Sequence, residues 1–307
     1  EEMSDYVERS VKEFGVAVVG GCCGTTPDHI RALSNRLKGV VPERTLPANQ
    51  VYVSGPQEAV ALDSSQGLIR IGERLNVRGS KKVREAVERD DGIQMTTLEE
   101  VVEEQVKDLG IDIIDVCMDS NIVETEVVLP ETIYALTSDF KGVMCLDSFS
   151  VEALESAIKT YPGRPIINSI SLEEYKDGVS KLDAVLSQTA EHCPLYIALV
   201  NGPEGPGQTA DEKYELAAEI VKQAGEKFNV TPDQIIIDVN AYPIGSESVE
   251  GLNFCAETLE CLPRIKAIHP DLKTSIGVGN LTNGLSAKPY MRKVLTSVFL
   301  DEGRKAG

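Results

Sequence analysis

The feature that most constrains this chain is a short β-branched apolar run that recurs seven times after Gly67, each time carrying a carboxylate or amide side chain at or near its end. The runs are "LIRIGERLNV" (68–77), "IDIIDVCM" (111–118), "GVMCLD" (142–147), "PIINSIS" (165–171), "LYIALVN" (195–201), "QIIIDVN" (234–240) and "KTSIGVGN" (273–280). Runs this continuous suit strands buried on both faces of a parallel sheet. Helical stretches separate them, so the chain reads as repeated βα units with no reversal of order. That pattern predicts an α/β fold of the (β/α)8 TIM-barrel class, with a doubly wound sheet as the alternative.

The clearest intervening helix is "TTLEEVVEEQVKDLG". Leu98, Val101, Val102, Val106 and Leu109 share one face, Thr97 and Glu100 suit a capping box, and Gly110 stops the helix. A second is "DEKYELAAEIVKQAG", expected to stop at Gly225.

From Gly39 to Gln66 the rhythm breaks. This segment holds three prolines and no clear helical or alternating pattern, so it reads as a linker. Before it, residues 1–38 offer a helix, an apolar run "VAVVG" (16–20) read as a strand, a turn and another helix. This is too little to bury its own strand, and it looks like the last βα unit of a second barrel. After it, residues 67–307 supply seven strands and finish on a helix, where an eighth strand is expected next. The chain therefore reads as a segment cut from a longer protein.

Composition excludes several functions. The formal charge is -19, from 49 acidic against 30 basic residues. Nucleic acid and anionic membranes both demand a basic surface, so neither is an expected partner. No apolar run approaches a membrane span, and "EEMSDYVERS" does not read as a signal peptide. Seven irregularly spaced cysteines read as reduced thiols, which suits a cytoplasmic protein.

Polar residues at the carboxyl ends of the seven strands carry the chemistry. Glu73 and Asn76 follow the first, Asp115 the second, Asp147 the third and Asn168 the fourth. Asn201 follows the fifth, Asp238 and Asn240 the sixth, and Asn280 the seventh. One such residue alone is more often a cap of the following turn. Their recurrence at every strand is what matters, because these ends converge on the barrel mouth, where active sites sit. Carboxylates and amides without a cluster of lysine or arginine suit a neutral ligand rich in N–H donors and ring acceptors, not a phosphate.

In the first piece, "VVGGCCGTTPDHI" places Cys22 and Cys23 side by side on a Gly-rich turn. The pair can offer two thiolates to one metal ion, whereas a catalytic zinc site needs three protein ligands and an open position. The remaining cysteines read as buried small hydrophobes or incidental thiols. His29, His192 and His269 lie beside prolines or helix ends and read as surface or capping residues.

In order, "IGERLNVRGS", "IIDVCMD", "CLDS", "INSIS", "IIIDVN" and "GVGNLTNGL" resemble the strand-end motifs of the methyltetrahydrofolate-binding barrel of the cobalamin-dependent methionine synthases. Related corrinoid methyltransferases share these motifs. "VVGGCCGTTPDHI" is similar to the zinc motif of the homocysteine-binding barrel that precedes the folate barrel in that family. The resemblance implies a pterin-binding barrel of the dihydropteroate synthase type and an enzyme that moves a methyl group from 5-methyltetrahydrofolate to reduced cobalamin, within methionine synthesis from homocysteine.

By the same resemblance Asp147, Asn168, Asp238 and Asn280 hydrogen-bond the pterin, with Asn280 at the ring nitrogen that bears the methyl group. Asn280 and Asp238 are the catalytic candidates, and Glu73, Asn76, Asp115 and Asn240 supporting contacts. Cys22 and Cys23 match two zinc ligands, the third being a cysteine outside this chain. Cobalamin is expected on a corrinoid-binding domain or protein, since no Asp-x-His-x-x-Gly pattern is present. Gly279 and Val239 stand where the family often has Ser and Pro. Dihydropteroate synthase, a methyltetrahydrofolate:corrinoid protein methyltransferase and a non-catalytic folate-binding module are the alternatives.

Overall fold

Alternation along a strand sends successive side chains to opposite faces, and in this protein that rule decides where polar groups gather. The computed structural model describes residues 2–42, 51–63, 67–247 and 251–307. The chain divides into two compact units, Glu1–Gln50 and Val51–Gly307.

In the first unit α1 (Glu2–Phe14) and α2 (Pro27–Arg36) pack together with Val11 and Leu33 buried. Arg36 on α2 pairs with Asp5 at 2.6 Å and with Glu8 on α1. The strand expected over Val16–Gly20 does not form, and Val18 is 89% exposed. A strand needs a ladder, and no other strand is present among the described residues of this unit to supply one. Thr26 caps α2 with Pro27 just inside, and His29 Nδ1 accepts the Thr26 N–H at 3.1 Å.

The second unit opens with an antiparallel hairpin, β1 (Tyr52–Ser54) and β2 (Ala59–Ala61). It lies in the segment that sequence patterning leaves without elements. Residues 43–50 and 64–66 of that segment are outside the described residues. Seven strands then form one parallel sheet: β3 (Ile71–Asn76), β4 (Ile113–Cys117), β5 (Val143–Asp147), β6 (Ile166–Ile170), β9 (Leu195–Leu199), β12 (Ile235–Asp238) and β13 (Lys273–Ser275), neighbours in that order. All seven coincide with runs read from the sequence. Two small antiparallel ribbons, β7 (Glu174–Lys176) with β8 (Val179–Ser180) and β10 (Asn201–Gly202) with β11 (Gly205–Pro206), decorate the loops after β6 and β9. The helices are α3 (Lys81–Val87), α4 (Met95–Glu103), α5 (Thr125–Asp139), α6 (Val151–Thr160), α7 (Lys181–Thr189), α8 (Ala210–Phe228), α9 (Phe254–Ile268) and α10 (Pro289–Ala306). No helix is long and apolar enough to cross a membrane among the described residues.

Two helix limits differ from the sequence reading. The first helix starts at Met95 with Gln94 as N-cap, so Thr97 lies inside it, and it continues as a π-turn over Glu104–Asp108. That wider turn rotates the following residues, which leaves Leu109 49% exposed instead of on the apolar face. It also aims Gln105, which is buried, so that its Oε1 accepts the Arg74 N–H (3.0 Å) beside the irregularity between Gly72 and Leu75 in β3. Helix α8 runs through Gly225 and ends at Asn229, whose left-handed φ of 56° makes it the C-cap.

Alternate residues face two cores. Ile114, Met144, Leu146, Ile167, Tyr196, Ala198, Ile235 and Ile237 pack under the helices, while Ile113, Val143, Ile166, Leu195 and Ile236 cluster with Val51 and Val53 of the hairpin segment. The hairpin therefore closes the amino-terminal end of the barrel interior with apolar side chains. Its approach is tight: a Cβ on Gly55 would lie 1.8 Å from the Gly142 carbonyl oxygen. Backbone bonds fix it there, with Ser54 and Arg164 exchanging N–H···O contacts of 2.9 and 3.0 Å.

Candidate active site

Two residues further along the same inward-facing rows, the chemistry changes from apolar to acidic. Val143, Cys145 and Asp147 form one row, Ile113, Asp115 and Cys117 the next, Ile166 and Asn168 a third, and Ile236 and Asp238 a fourth. Register puts Asp147 opposite both Cys117 and Asn168, with Asp115 one step deeper opposite Cys145, and Asp238 opposite Ser275. Asp115, Asp147, Asn168 and Asp238 thus line one end of the sheet, the carboxyl end.

Burial sets their proton affinities. Asp115 is 1% exposed, accepts from Asn168 Nδ2 at 3.4 Å, and has its carboxyl held well above the ordinary range by burial and by the nearby Asp147. Asp147 is likewise raised by burial, against relief from the Cys117 thiol and Lys181. Burial pushes Asp238 up to about 6, even though its carboxylate accepts the Asn240 N–H on Oδ1 (2.9 Å) and the Ser275 hydroxyl on Oδ2 (3.0 Å). Glu73 is open to solvent by surface area, yet desolvation by the surrounding protein raises it, and its charge is felt by Asp115, Asp147 and Asp238 alike. These acids form one electrostatic group that holds protons more readily than carboxylates in water.

The other predicted residues sit differently. Asn76 caps its own turn, its Oδ1 accepting the Gly79 N–H at 2.7 Å. Asn240 is left-handed (φ 52°) and donates through Nδ2 to Asn201 Oδ1 at 2.7 Å; Asn201 in turn donates to Glu173 Oε2 at 3.0 Å. Asn280 lies beyond β13 at the start of a short 3-10 turn, Asn280–Thr282, and is exposed. The loop after β9 begins as the β10/β11 ribbon, Asn201–Gly202 against Gly205–Pro206.

Three residues of this region escaped the sequence reading. Asp119 is buried and holds the loop after β5, accepting from Ser148 Oγ (2.6 Å) and the Phe149 N–H (2.7 Å). It was visible as the second acid of "IIDVCMD". Lys181 lies near Asp147 and Asp119, its ammonium 5.2 Å from the Phe149 ring centre, and burial lowers its proton affinity. Lys213 is fully buried behind Asn240, and its signal was a lysine at the 3–4 spacing of the stripe Ala210, Ala217, Ile220, Ala224. The mouth therefore has two separate lysines in its walls, Lys181 on α7 and Lys213 on α8. Neither forms a salt bridge within 4.0 Å among the described residues.

In the first unit Cys22 and Cys23 are exposed on a turn closed by Thr25, with their sulfurs 3.9 Å apart. Two thiolates at about 2.3 Å from a tetrahedral zinc lie about 3.8 Å apart, so the pair fits two adjacent vertices. No group of three potential ligands occurs among the described residues.

Residues 72–307 match the pterin binding enzyme family, and residues 1–37 match the homocysteine S-methyltransferase family. The methionine synthase of Mycobacterium tuberculosis is 30% identical over 308 residues, and that of Mycobacterium leprae 29% over 317. Both alignments cover 100% of this chain and 25% of the relative, so the chain spans about a quarter of the length of these curated relatives. Among solved structures, dihydropteroate synthase from Xanthomonas albilineans with 7,8-dihydropteroate superposes with a TM-score of 0.54 at 13% identity, covering 84% of this chain and 90% of that one. The Vibrio fischeri enzyme gives 0.52 at 17%, covering 83% and 90%. At such identities the likeness is one of fold.

Proposed function

The chain belongs to the pterin binding enzyme family, and from that premise we propose that its barrel binds 5-methyltetrahydrofolate and gives up the methyl group to reduced cobalamin, as one part of a cytoplasmic methionine synthase. The observation that carries this reading is the gathering of Asp147, Asn168 and Asp238 at the carboxyl end of the sheet, two of them in direct register. Each carboxylate keeps acceptor capacity after its internal bonds. Asp238 uses one lone pair per oxygen on Asn240 and Ser275, which leaves one on each for the parallel N–H groups of a 2-amino-pyrimidinone edge. Asn168 supplies a donor and an acceptor at the remaining ring atoms.

Methyl transfer requires the ring nitrogen to leave as a neutral amine. The N–CH3 bond breaks with its electron pair remaining on nitrogen, so that nitrogen must take up a proton before or during transfer. The acid group formed by Glu73, Asp115, Asp147 and Asp238 favours this in two ways: burial makes it hold protons more readily than carboxylates in water, and its negative charge stabilises a protonated nitrogen. Asn280 then assists through its carbonyl oxygen at that nitrogen. A separate corrinoid module would hold cobalamin, which would supply a nucleophilic cobalt as methyl acceptor. Cys22 and Cys23, with a cysteine from outside this chain, would hold a zinc ion, whose Lewis acidity would favour the thiolate form of homocysteine. Seven free cysteines suit the reducing cytoplasm.

The test is a binding titration with 5-methyltetrahydrofolate followed by transfer to free reduced cobalamin. Binding with transfer supports the proposal. Binding without transfer reduces the barrel to a folate-binding module, and pyrophosphate release from a pterin diphosphate substrate converts the reading to dihydropteroate synthase.

A further inference from the structure

We propose that Lys213 is a positioning residue for the mouth: from within the helical layer its ammonium holds the Asn240 carbonyl and so aims the Asp238 carboxylate at the ligand. The role in aiming a ligand contact rests on the reading of Asp238 as a pterin acceptor. The coupling between Lys213 and Asp238 does not.

Lys213 is fully buried on α8. Its Nζ donates to Thr258 Oγ1 on α9 at 2.6 Å and to the Asn240 carbonyl at 3.3 Å, and it faces the Tyr242 ring with 5.4 Å to the centre. Thr258 Oγ1 also reaches the Asn240 carbonyl, at 3.3 Å. Two donors thus converge on one carbonyl. Asn240 is one of the few non-glycine residues with a left-handed backbone, a conformation that persists only where the surroundings enforce it. Here both sides of the residue are tied. Its carbonyl is pulled into the helical layer by Lys213 and Thr258, while its N–H points the opposite way to Asp238 Oδ1 at 2.9 Å. The side chain is fixed by Asn201 Oδ1 at 2.7 Å.

A neutral side chain could cap that carbonyl more cheaply, because a buried ammonium loses its hydration. The charge is what such a residue adds. Asp238 lies within its field, and so do Glu257, Cys255 and Cys261 of α9. From the barrel side Asp238 faces Glu73 of β3, whose negative charge opposes its ionisation, and the neutral Ser275 of β13. Lys213 is therefore the cation that offsets Glu73. Burial brings Lys213 down to about 8 while Asp238 rises to about 6, so both are charged between those values.

The experiment follows the Asp238 carboxyl carbon by NMR in the 307-residue chain labelled at aspartate, with Asp238→Asn to identify the signal. In the unsubstituted protein the main inflection near pH 6 should be accompanied by a second, smaller one near pH 8 as Lys213 loses its proton. Lys213→Met should erase the second inflection and move the first upward by about one pH unit, the size expected of a cation several ångströms away at an effective dielectric of about 20. Lys213→Arg should keep the first near its original place. Methyltetrahydrofolate affinity in Lys213→Met should fall most at pH 7 and recover in part toward pH 8.5, the remaining loss coming from the released Asn240 carbonyl. A lysine that only fills space would instead weaken binding equally at all pH values. Absence of the second inflection in the unsubstituted protein overturns the proposal, whether or not the methionine variant folds. Coupling observed in a protein that binds no folate would leave the Lys213 assignment standing and remove the functional reading.

Discussion

Replacing Asp238 by asparagine should weaken ligand binding while stabilising the fold, and the two effects follow from the same hydrogen bonds. The amide oxygen can keep the Asn240 N–H, now received by Oδ1. The amide nitrogen then faces Ser275 Oγ, which can rotate to accept instead of donate. The internal bonds survive, but the ligand-facing atom on that side has become a donor opposite an N–H group. Losing one charge-assisted bond and gaining an opposed donor costs about 2–4 kcal/mol, or about 30- to 700-fold in Kd for methyltetrahydrofolate. Stability moves the other way. The carboxyl titrates at about 6 in the fold against an ordinary 3.8. Between those values the folded state holds a proton that the unfolded chain lacks, so stability declines as pH rises through the window. The decline reaches about 3 kcal/mol at pH 7. Asp238→Asn abolishes it, so its Tm should exceed that of the parent at pH 7, by as much as about 6–12 °C, and match it near pH 4. Isothermal titration calorimetry and thermal unfolding at the two pH values measure both. A Kd within threefold of the parent, or a Tm gain that persists at pH 4, would refute the reasoning.

Other consequences are as direct. Asn280→Ala should reduce the rate of methyl transfer to free reduced cobalamin by about 2–4 kcal/mol in activation free energy and raise Kd less. Equal losses would make Asn280 a ground-state contact. Gly55→Ala drives a methyl group into the Gly142 carbonyl and should cost about 1–3 kcal/mol in urea unfolding; a neutral result would mean that the hairpin does not seat against the barrel floor. Cadmium titration of the chain should produce thiolate-to-metal absorption from two sulfurs per ion, and Cys22→Ser should remove most of it. An unchanged spectrum would take the vicinal pair out of the metal reading.

The barrel was legible because its strands are buried on both faces, which makes each a continuous apolar run ending in a polar residue. Runs such as "GVMCLD" and "QIIIDVN" encode both the strand and the point where its inward row turns acidic. The same cue failed at "VAVVG", where composition suits a strand but no partner strand supplies a ladder. It also missed β1 and β2, which are three residues each and too short for alternation to register. Thr97 and Gly225 carried ordinary capping signals that the π-turn and the continued packing of α8 overrode. For the site, positions on strand ends could be named one by one, but the interaction of Glu73 with three other acids depends on closure of the sheet. Lys213 needed a different question, namely why a lysine falls on an apolar stripe.

The central claim is that one pterin ring is held between Asp147, Asn168 and Asp238 at the carboxyl end of the barrel. A crystal structure of the chain with 5-methyltetrahydrofolate tests it most directly. The account predicts the 2-amino-pyrimidinone edge about 2.6–3.2 Å from carboxylate oxygens in that mouth, with the methyl group directed outward to solvent. A ring bound at the hairpin end, or held in the mouth without contact to either Asp147 or Asp238, would contradict it.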